Sequence, residues 1–219
     1  MTMRLTIFLF LISQFTVFGQ VSFDFKYPLP PNGKQIQHVD HPYYGIYSSD
    51  SSDISFEFNE DGIFSNTILV QSISRETVRE SSKYRTSNGY LHGIVQNDSV
   101  MYIEQDDQYY FGIPQQSCIL CEDSKNILMK SSGTSYILNF SENGHFLPAQ
   151  LTFEGSNFSI QYFDYETDTK SFKKLTVSAE KETDNLKLIT LEPDLKQFSK
   201  LKPEDLFGKK MSYKLVKGI

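Results

Sequence analysis

Short runs of alternating apolar and polar residues, separated by turn-forming residues, are the feature that most constrains the fold of this chain. Runs at 90–95 and 136–140 are typical, and each is bracketed by residues that favour tight turns. The turn dipeptides include Asn88-Gly89, Asn97-Asp98, Asp106-Asp107, Ser132-Gly133, Asn143-Gly144 and Asp184-Asn185. Many intervals are about 8–12 residues, the spacing of antiparallel strands. The sequence therefore predicts an all-β fold, mainly an antiparallel meander arranged as a barrel or sandwich.

Helical patterns are confined to two stretches. Residues 74–80 could form a short helix with Ser74 as its N-cap, but the apolar stripe is so sparse that we favour a strand there. The residues from 194 to 207 approach a helical face, which Pro203 must interrupt. We therefore expect a short helical segment near the C-terminus. The residues that would form its apolar face are Leu195, Phe198, Leu201 and Leu206.

The first 19 residues have the pattern of a secretory signal peptide. Arg4 precedes an apolar run from Leu5 to Ile12, within the length of about 7–15 residues that such signals use. The ending Phe18-Gly19-Gln20 resembles leaders of secreted proteins from Bacteroidetes-type bacteria. We therefore expect export to the periplasm, the outer surface or the medium, with no transmembrane span in the mature chain. An N-terminal anchor helix is the alternative.

The remainder divides into three parts by composition. Residues 20–42 contain several prolines and are predicted to be an extended lead-in. A β-rich domain follows at 43–193, and 194–219 forms a basic C-terminal segment. The sequence at 58–64 matches that at 140–146 with an offset of 82. The domain could thus consist of two related halves, about 43–121 and 122–193, although any two hairpins with tight turns select similar residues.

Charge is distributed unevenly along the chain. The net charge is −6, and it becomes −7 once the leader is removed. From Leu195 onward seven lysines face two acidic residues, so this part carries +5 and the rest of the mature chain carries −12. We expect no nucleic-acid partner, because phosphate binding requires a basic surface. The basic segment can contact acidic surfaces, or it can be a solvated terminal element.

Cys118 and Cys121 are the two cysteines of the chain. In an exported protein they are disulfide candidates, with buried thiols, intermolecular oxidation, metal binding and redox chemistry as alternatives. Residues three apart in a straight strand face opposite sides, so a bond between these cysteines requires a local turn.

Two clusters contain potential metal ligands. His38, Asp40 and His41 combine two imidazoles with a carboxylate, although we favour their interpretation as exposed loop residues. We predict no cofactor from this cluster or from the one that follows. The second cluster consists of Asp164, Glu166 and Asp168, which resemble the start of a calcium loop.

The calcium pattern fails further along the second cluster. Thr169 and Leu175 stand where the pattern has glycine and glutamate. We therefore interpret these carboxylates as an acidic β-turn. A second acidic turn contains Glu104, Asp106 and Asp107.

Aromatic residues could form a stacking platform for a ligand such as a glycan. Tyr43, Tyr109 and Phe111 are the candidates, although we favour a place in the core for this face. The sequence 43–47, followed by 54–62, resembles the opening of lipocalin-like bacterial barrels. That resemblance implies a barrel that encloses a small apolar ligand.

The chain contains no nucleophile-elbow, zinc-protease or phosphate-loop motif. We therefore predict a non-catalytic ligand-binding or envelope-associated protein whose partner is a small molecule, a glycan or an envelope protein. One alternative is a secreted, glycan-directed hydrolase that uses carboxylates. A second is a structural envelope component, which would expose an apolar patch or an unpaired strand edge.

Overall fold

The structure is a computed structural model that describes residues 20–96, 98–132, 135–164, 172, 174–183 and 186–218. These residues form one open, mostly antiparallel sheet with only three short α-helices. The predicted all-β fold is therefore confirmed, including its short helical segment near the C-terminus. Because the sheet is open, the described residues do not form the closed barrel that the lipocalin resemblance implies. No helix in this part of the chain is long and apolar enough to cross a membrane.

The chain forms two compact units, and neither is a continuous stretch of sequence. Unit 1 comprises the residues up to Ile36, Asn126–Thr152 and Ile160–Met211, whereas unit 2 comprises Gln37–Lys125, Phe153–Ser159 and Ser212–Ile219. The possible halves at 43–121 and 122–193 do not correspond to these units.

The strands are numbered in chain order. Unit 1 contains β1 (Gln20–Phe25), β2 (Gln35–Ile36), β10 (Ile127–Ser132), β11 (Ser135–Glu142), β14 (Val177–Thr183) and β15 (Leu186–Leu191). Unit 2 contains β3 (Gly45–Ser49), β4 (Ser52–Asn59), β5 (Gly62–Ser74), β6 (Arg85–Ser87), β7 (Tyr90–His92), β8 (Ser99–Gln105) and β9 (Gln108–Cys121). Residues of both units belong to β12 (His145–Glu154), β13 (Asn157–Tyr162) and β16 (Met211–Gly218).

The helices are all short. Helix α1 (Arg75–Glu80) lies in unit 2, while α2 (Leu195–Phe198) and α3 (Pro203–Leu206) lie in unit 1. The side chain of Asp194 accepts a hydrogen bond from the backbone N–H of Gln197, which completes a capping box at α2. Pro203 begins α3 rather than interrupting a longer helix, in agreement with its fixed φ and missing N–H.

The proline-containing segment 20–42 is part of the fold, which corrects its prediction as a lead-in ahead of the domain. Strand β1 pairs in parallel with β15 and contacts β12 on its other side. Phe25 is completely buried and Leu29 nearly so. Together they help to form the core of unit 1, whose other buried members are Phe23, Ile137, Phe172, Leu175, Leu191, Leu206 and Phe207.

Two side chains hold the prolines of this segment in place. The buried Asn139 accepts a hydrogen bond from the N–H of Leu29 at 2.7 Å and donates to its carbonyl at 2.8 Å. The ammonium of Lys130 donates to the carbonyls of Pro28 and Pro30, each at 3.0 Å. Because proline cannot complete a strand ladder, these side chains supply the missing partners. Partial burial lowers the pKa of Lys130 below its usual value.

Unit 2 is organised around the long pairing of β5 with β9, which extends from Gly62 to Ser74. One face of this ribbon packs on a small core of Val78, Leu91, Val100 and Phe111. The strand favoured at 74–80 is wrong, because α1 occupies this stretch and Ser74 Oγ accepts a hydrogen bond from the N–H of Thr77. A six-residue helix needs only Val78 to attach it to the core, so the sparse apolar stripe is sufficient.

The two matching hairpins do not turn at equivalent residues. Asn59 pairs with Gly62, so the first turn is formed by Glu60 and Asp61. Glu142 pairs with His145, so the second turn contains Asn143 and Gly144, both with positive φ. The matched glycines are thus displaced by one position relative to the turns, and the hairpins give no support to two related halves.

Candidate ligand-binding groove

A groove of about 920 Å³ lies on unit 2, between the end of β5, helix α1, strand β6 and the turn from β8 to β9. Its size is within the usual range of ligand sites. All three arginines that follow Arg4 in the sequence line it, namely Arg75, Arg79 and Arg85. Two half-buried tyrosines, Tyr84 and Tyr109, complete what we call the arginine groove.

Local structure places two of the arginines on the same side of α1. Arg75 and Arg79 are four residues apart, a spacing that brings side chains together on one helical face. Val78 borders the groove but is almost completely buried in the core, where it anchors the helix. After α1, Ser81 Oγ accepts hydrogen bonds from the N–H groups of Lys83 and Tyr84, and the resulting turn leads the chain into β6.

Arg75 is engaged by the acidic turn at the end of the groove. Its guanidinium lies 2.7 Å from a Glu104 carboxylate oxygen and 3.5 Å from one of Asp107. Its backbone N–H also donates to the carbonyl of Asp107 at 3.0 Å. Asp106 and Asp107 both adopt positive φ, as a two-residue hairpin turn requires. The second acidic turn found in the sequence therefore fixes Arg75.

Arg79 and Arg85 differ from Arg75 in having unpaired guanidinium groups. Neither forms an ion pair or a side-chain hydrogen bond with the residues that the structure describes, and both are exposed. A guanidinium presents several donors in a planar fork that matches carboxylate, sulfate and phosphate groups. Two such groups are therefore available to a ligand in the arginine groove.

A second, smaller depression of about 490 Å³ adjoins the first, since Arg85 lines both. It adds Lys83 and His92, and Ser87 Oγ lies 2.8 Å from His92 Nε2. Gly93 brings β7 against the turn before β6, because a Cβ atom there would lie only 2.2 Å from the Lys83 carbonyl oxygen. Glycine also tolerates the local φ of +87°. The cationic lining thus continues past Arg85.

The three stacking candidates have different environments. Tyr109 lines the arginine groove, with its ring 4.6 Å from that of Tyr102 in an edge-on arrangement. Phe111 is only 4% exposed and belongs to the core, so its ring has no surface for a ligand and that candidate is wrong. Tyr43 lies outside the groove and stacks on Phe153 at 4.4 Å.

Cys118 and Cys121 are joined by a disulfide. A β-bulge makes this possible, because Ile63 pairs with Leu120 while the next residue, Phe64, pairs with Cys118. The extra residue in β9 shifts the alternation of side chains, so that both cysteines reach the same side. A bulge within the strand replaces the turn that we expected.

The remaining metal candidates are not assembled into a site. His38, Asp40 and His41 are exposed, and His41 contacts the ring of Tyr44. Within the described ranges, no three His, Cys, Asp or Glu side chains are grouped as metal ligands. Asp164 lies beside Gly208, whereas Glu166 and Asp168 of the predicted acidic turn lie outside the described residues.

One grouping in unit 1 has the residue types of a catalytic triad but the wrong geometry. His145 Nδ1 lies 3.3 Å from Asp24 Oδ1 and 3.4 Å from Thr190 Oγ1. A proton relay requires the hydroxyl and the carboxylate to contact opposite nitrogens of the ring. Here both meet the same nitrogen, so this arrangement does not activate Thr190.

The arginines were missed in the sequence, although a signal was present. Arg75, Arg79 and Arg85 fall within eleven residues of a chain that otherwise uses 17 lysines for its positive charge after Arg4.

No known protein family, curated protein or solved structure matches the chain.

Proposed function

We propose that this protein is an exported, non-catalytic binding protein that holds an acidic saccharide in the arginine groove. The observation that carries this proposal is the position of the arginines, because all three that follow Arg4 line one groove. Arginine is the side chain best suited to planar recognition of carboxylate and sulfate groups. The apolar ligand implied by the lipocalin resemblance does not suit this polar, charged lining.

The mixed lining favours a saccharide over a simple anion. Glu76 and Asp107 line the groove together with Gln108 and the arginines. Carboxylates repel any anionic group, which disfavours a small ion that offers nothing else, but they accept hydrogen bonds from the hydroxyls of a sugar whose acidic group lies at the arginines. Tyr84 and Tyr109 add apolar ring surface against which a pyranose ring can pack. A sugar residue with one acidic group and several hydroxyls, such as each residue of oligogalacturonate, uses all of these features.

Titration calorimetry with oligogalacturonate tests this function. We expect binding to wild-type protein and at least about tenfold weaker binding to the double variant Arg79→Gln/Arg85→Gln, since charged hydrogen bonds contribute about 1.5–3 kcal/mol each. Raising the salt concentration should weaken binding as well. The uncharged galacto-oligosaccharide of the same length should bind much less.

A matched control removes the same charge elsewhere. Lys196→Gln/Lys200→Gln changes two exposed cations of the basic C-terminal segment and should leave the affinity unchanged. Equal binding by wild-type protein and the arginine double variant would overturn the proposal. The glycan-directed hydrolase and the structural envelope component both stay untested predictions.

A further inference from the structure

One edge of strand β5 has no strand partner along half of its length. Strand β4 pairs with β5 only at Gly62 to Asn66, whereas β9 pairs with the opposite edge as far as Ser74. In the described part of the chain, residues 67–73 therefore have a ladder on one side alone, and we call this segment the free edge of β5. Alternate backbone N–H and C=O groups along such an edge point outward without a strand to bind.

The free edge lacks the devices that normally protect an exposed strand. Natural edges carry charges, prolines or bulges that prevent pairing with another chain. The sequence from Thr67 to Ile73 is Thr-Ile-Leu-Val-Gln-Ser-Ile, and it contains none of these. Ile68 is 61% exposed and Val70 is 67% exposed, so no residue that the structure describes covers them.

The neighbouring edge of β9 provides an internal comparison. Strand β8 pairs with β9 only as far as Phe111, so β9 also loses a partner there. Just beyond, β9 contains Pro114, which has no N–H to offer and therefore blocks a further strand. The edge of β9 is thus protected by a proline, whereas the free edge of β5 has no such protection.

The face beside the free edge is apolar and uncharged. Tyr110 of β9 pairs with Ser72 of β5 and with Ile103 of β8. Residues that pair directly across strands lie on the same face of the sheet, so Ile103 lies on the same face as Ser72 and Val70. Ile103 is 72% exposed and Met101, two residues away on the same face, is 68% exposed. Val70 shares this face and is equally well exposed, and exposed apolar side chains grouped on one face mark interaction sites.

We propose that two copies of this chain pair through the free edge of β5 in antiparallel orientation. An extended strand is the partner that an unpaired edge requires, and the same edge in a second copy satisfies it by a twofold axis. The protein carries a net charge of −6, which opposes contact between most of its surfaces. The free edge and its adjoining face are neutral, so contact there brings no like-charged side chains together.

Sedimentation velocity of the purified protein over a concentration series tests the proposal. We expect a monomer–dimer equilibrium for wild-type protein. Val70→Lys places a charge on the edge and should weaken the dimer by at least about tenfold. Ser72→Lys, on the same edge, should act in the same direction without removing an apolar side chain.

Val216→Lys is the matched control. Val216 is 66% exposed on β16, a strand that pairs with β3, so this variant introduces the same charge at an equally exposed valine. Its dimerisation should equal that of wild-type protein. Circular dichroism checks that all variants remain folded.

Hydrogen exchange locates the contact. Amides of residues 67–73 should become protected as the wild-type concentration rises, and this change should be absent from Val70→Lys. A wild-type protein that stays monomeric throughout the series overturns the proposal. So does a dimer that Val70→Lys and Ser72→Lys leave intact, or one that Val216→Lys disrupts equally.

Discussion

Two stretches of this protein present the same problem and solve it differently. In unit 1, the prolines at 28–31 cannot complete a strand ladder, and in unit 2 residues 67–73 have a ladder on one edge only. Asn139 and Lys130 provide partners for the first stretch from within the chain. Nothing in the described residues pairs with the open edge of the second. The comparison teaches that backbone groups with hydrogen-bond partners in the same chain contribute to stability, whereas those without such partners are available to another molecule.

Removing the side chain of Asn139 should have the largest effect on stability. Asn139→Ala leaves the N–H and carbonyl of Leu29 buried without their hydrogen bonds and also opens a small cavity. We expect a loss of about 3 kcal/mol in the free energy of unfolding, measured by urea denaturation. Gln115→Ala, an exposed amide on β9, should change stability by less than about 0.5 kcal/mol. A similar small loss for both variants would show that the Asn139 contacts are dispensable.

The disulfide provides a second test in unit 2. It closes a short loop at the C-terminal end of β9, where this strand pairs with the start of β5. Replacing Cys118 and Cys121 by serine removes a short loop closure. The expected loss is about 2 kcal/mol in the chain-entropy description. Non-reducing peptide mapping should first show the bond within one chain. Unchanged stability of the double variant would contradict the assigned contribution.

The smallest effect concerns pH. Burial lowers the pKa of Lys130 below the usual 10.5, so the unfolded chain binds more protons between the lowered pKa and 10.5. The stability of the wild type relative to Lys130→Met should therefore rise with pH through this window. Denaturation midpoints measured from neutral to alkaline pH test this, and an invariant difference would argue against it.

Lys26 serves as a control of opposite sign. A hydrogen bond with Glu192 raises the pKa of Lys26, so its contribution is complete below 10.5 and disappears as the pH rises through the raised pKa. Relative to Lys26→Met, wild-type protein should lose stability at alkaline pH. The two lysines thus distinguish a cation that is partly desolvated from one with a carboxylate partner.

Local patterns were sufficient to predict the strands but not their partners. The turn at Asn143 and Gly144 could be placed from sequence, because few other residues tolerate positive φ. Helix α1 was missed because a single buried residue, Val78, attaches it. The lead-in was misjudged because its stability comes from Asn139, more than 100 residues away, and no local pattern shows such a contact.

The candidate site was less accessible from sequence than the fold. Tyr109 and Phe111 share one face of β9, yet one lines the groove and the other lies in the core. Tyr109 lies beside α1 and the turn from β8 to β9, and strand alternation does not contain the position of either. The fixing of Arg75 by Glu104 and Asp107 likewise depends on a turn that lies about thirty residues further along the chain.

The interleaving of the two units has a consequence for how the protein is made. Unit 1 requires residues as far as Met211, and unit 2 is completed by β16 at the very end of the chain. Each unit can therefore close only after these late segments have been synthesised. Segments far apart in sequence must meet before either unit is complete, and such non-local pairing is the property that makes β proteins fold slowly.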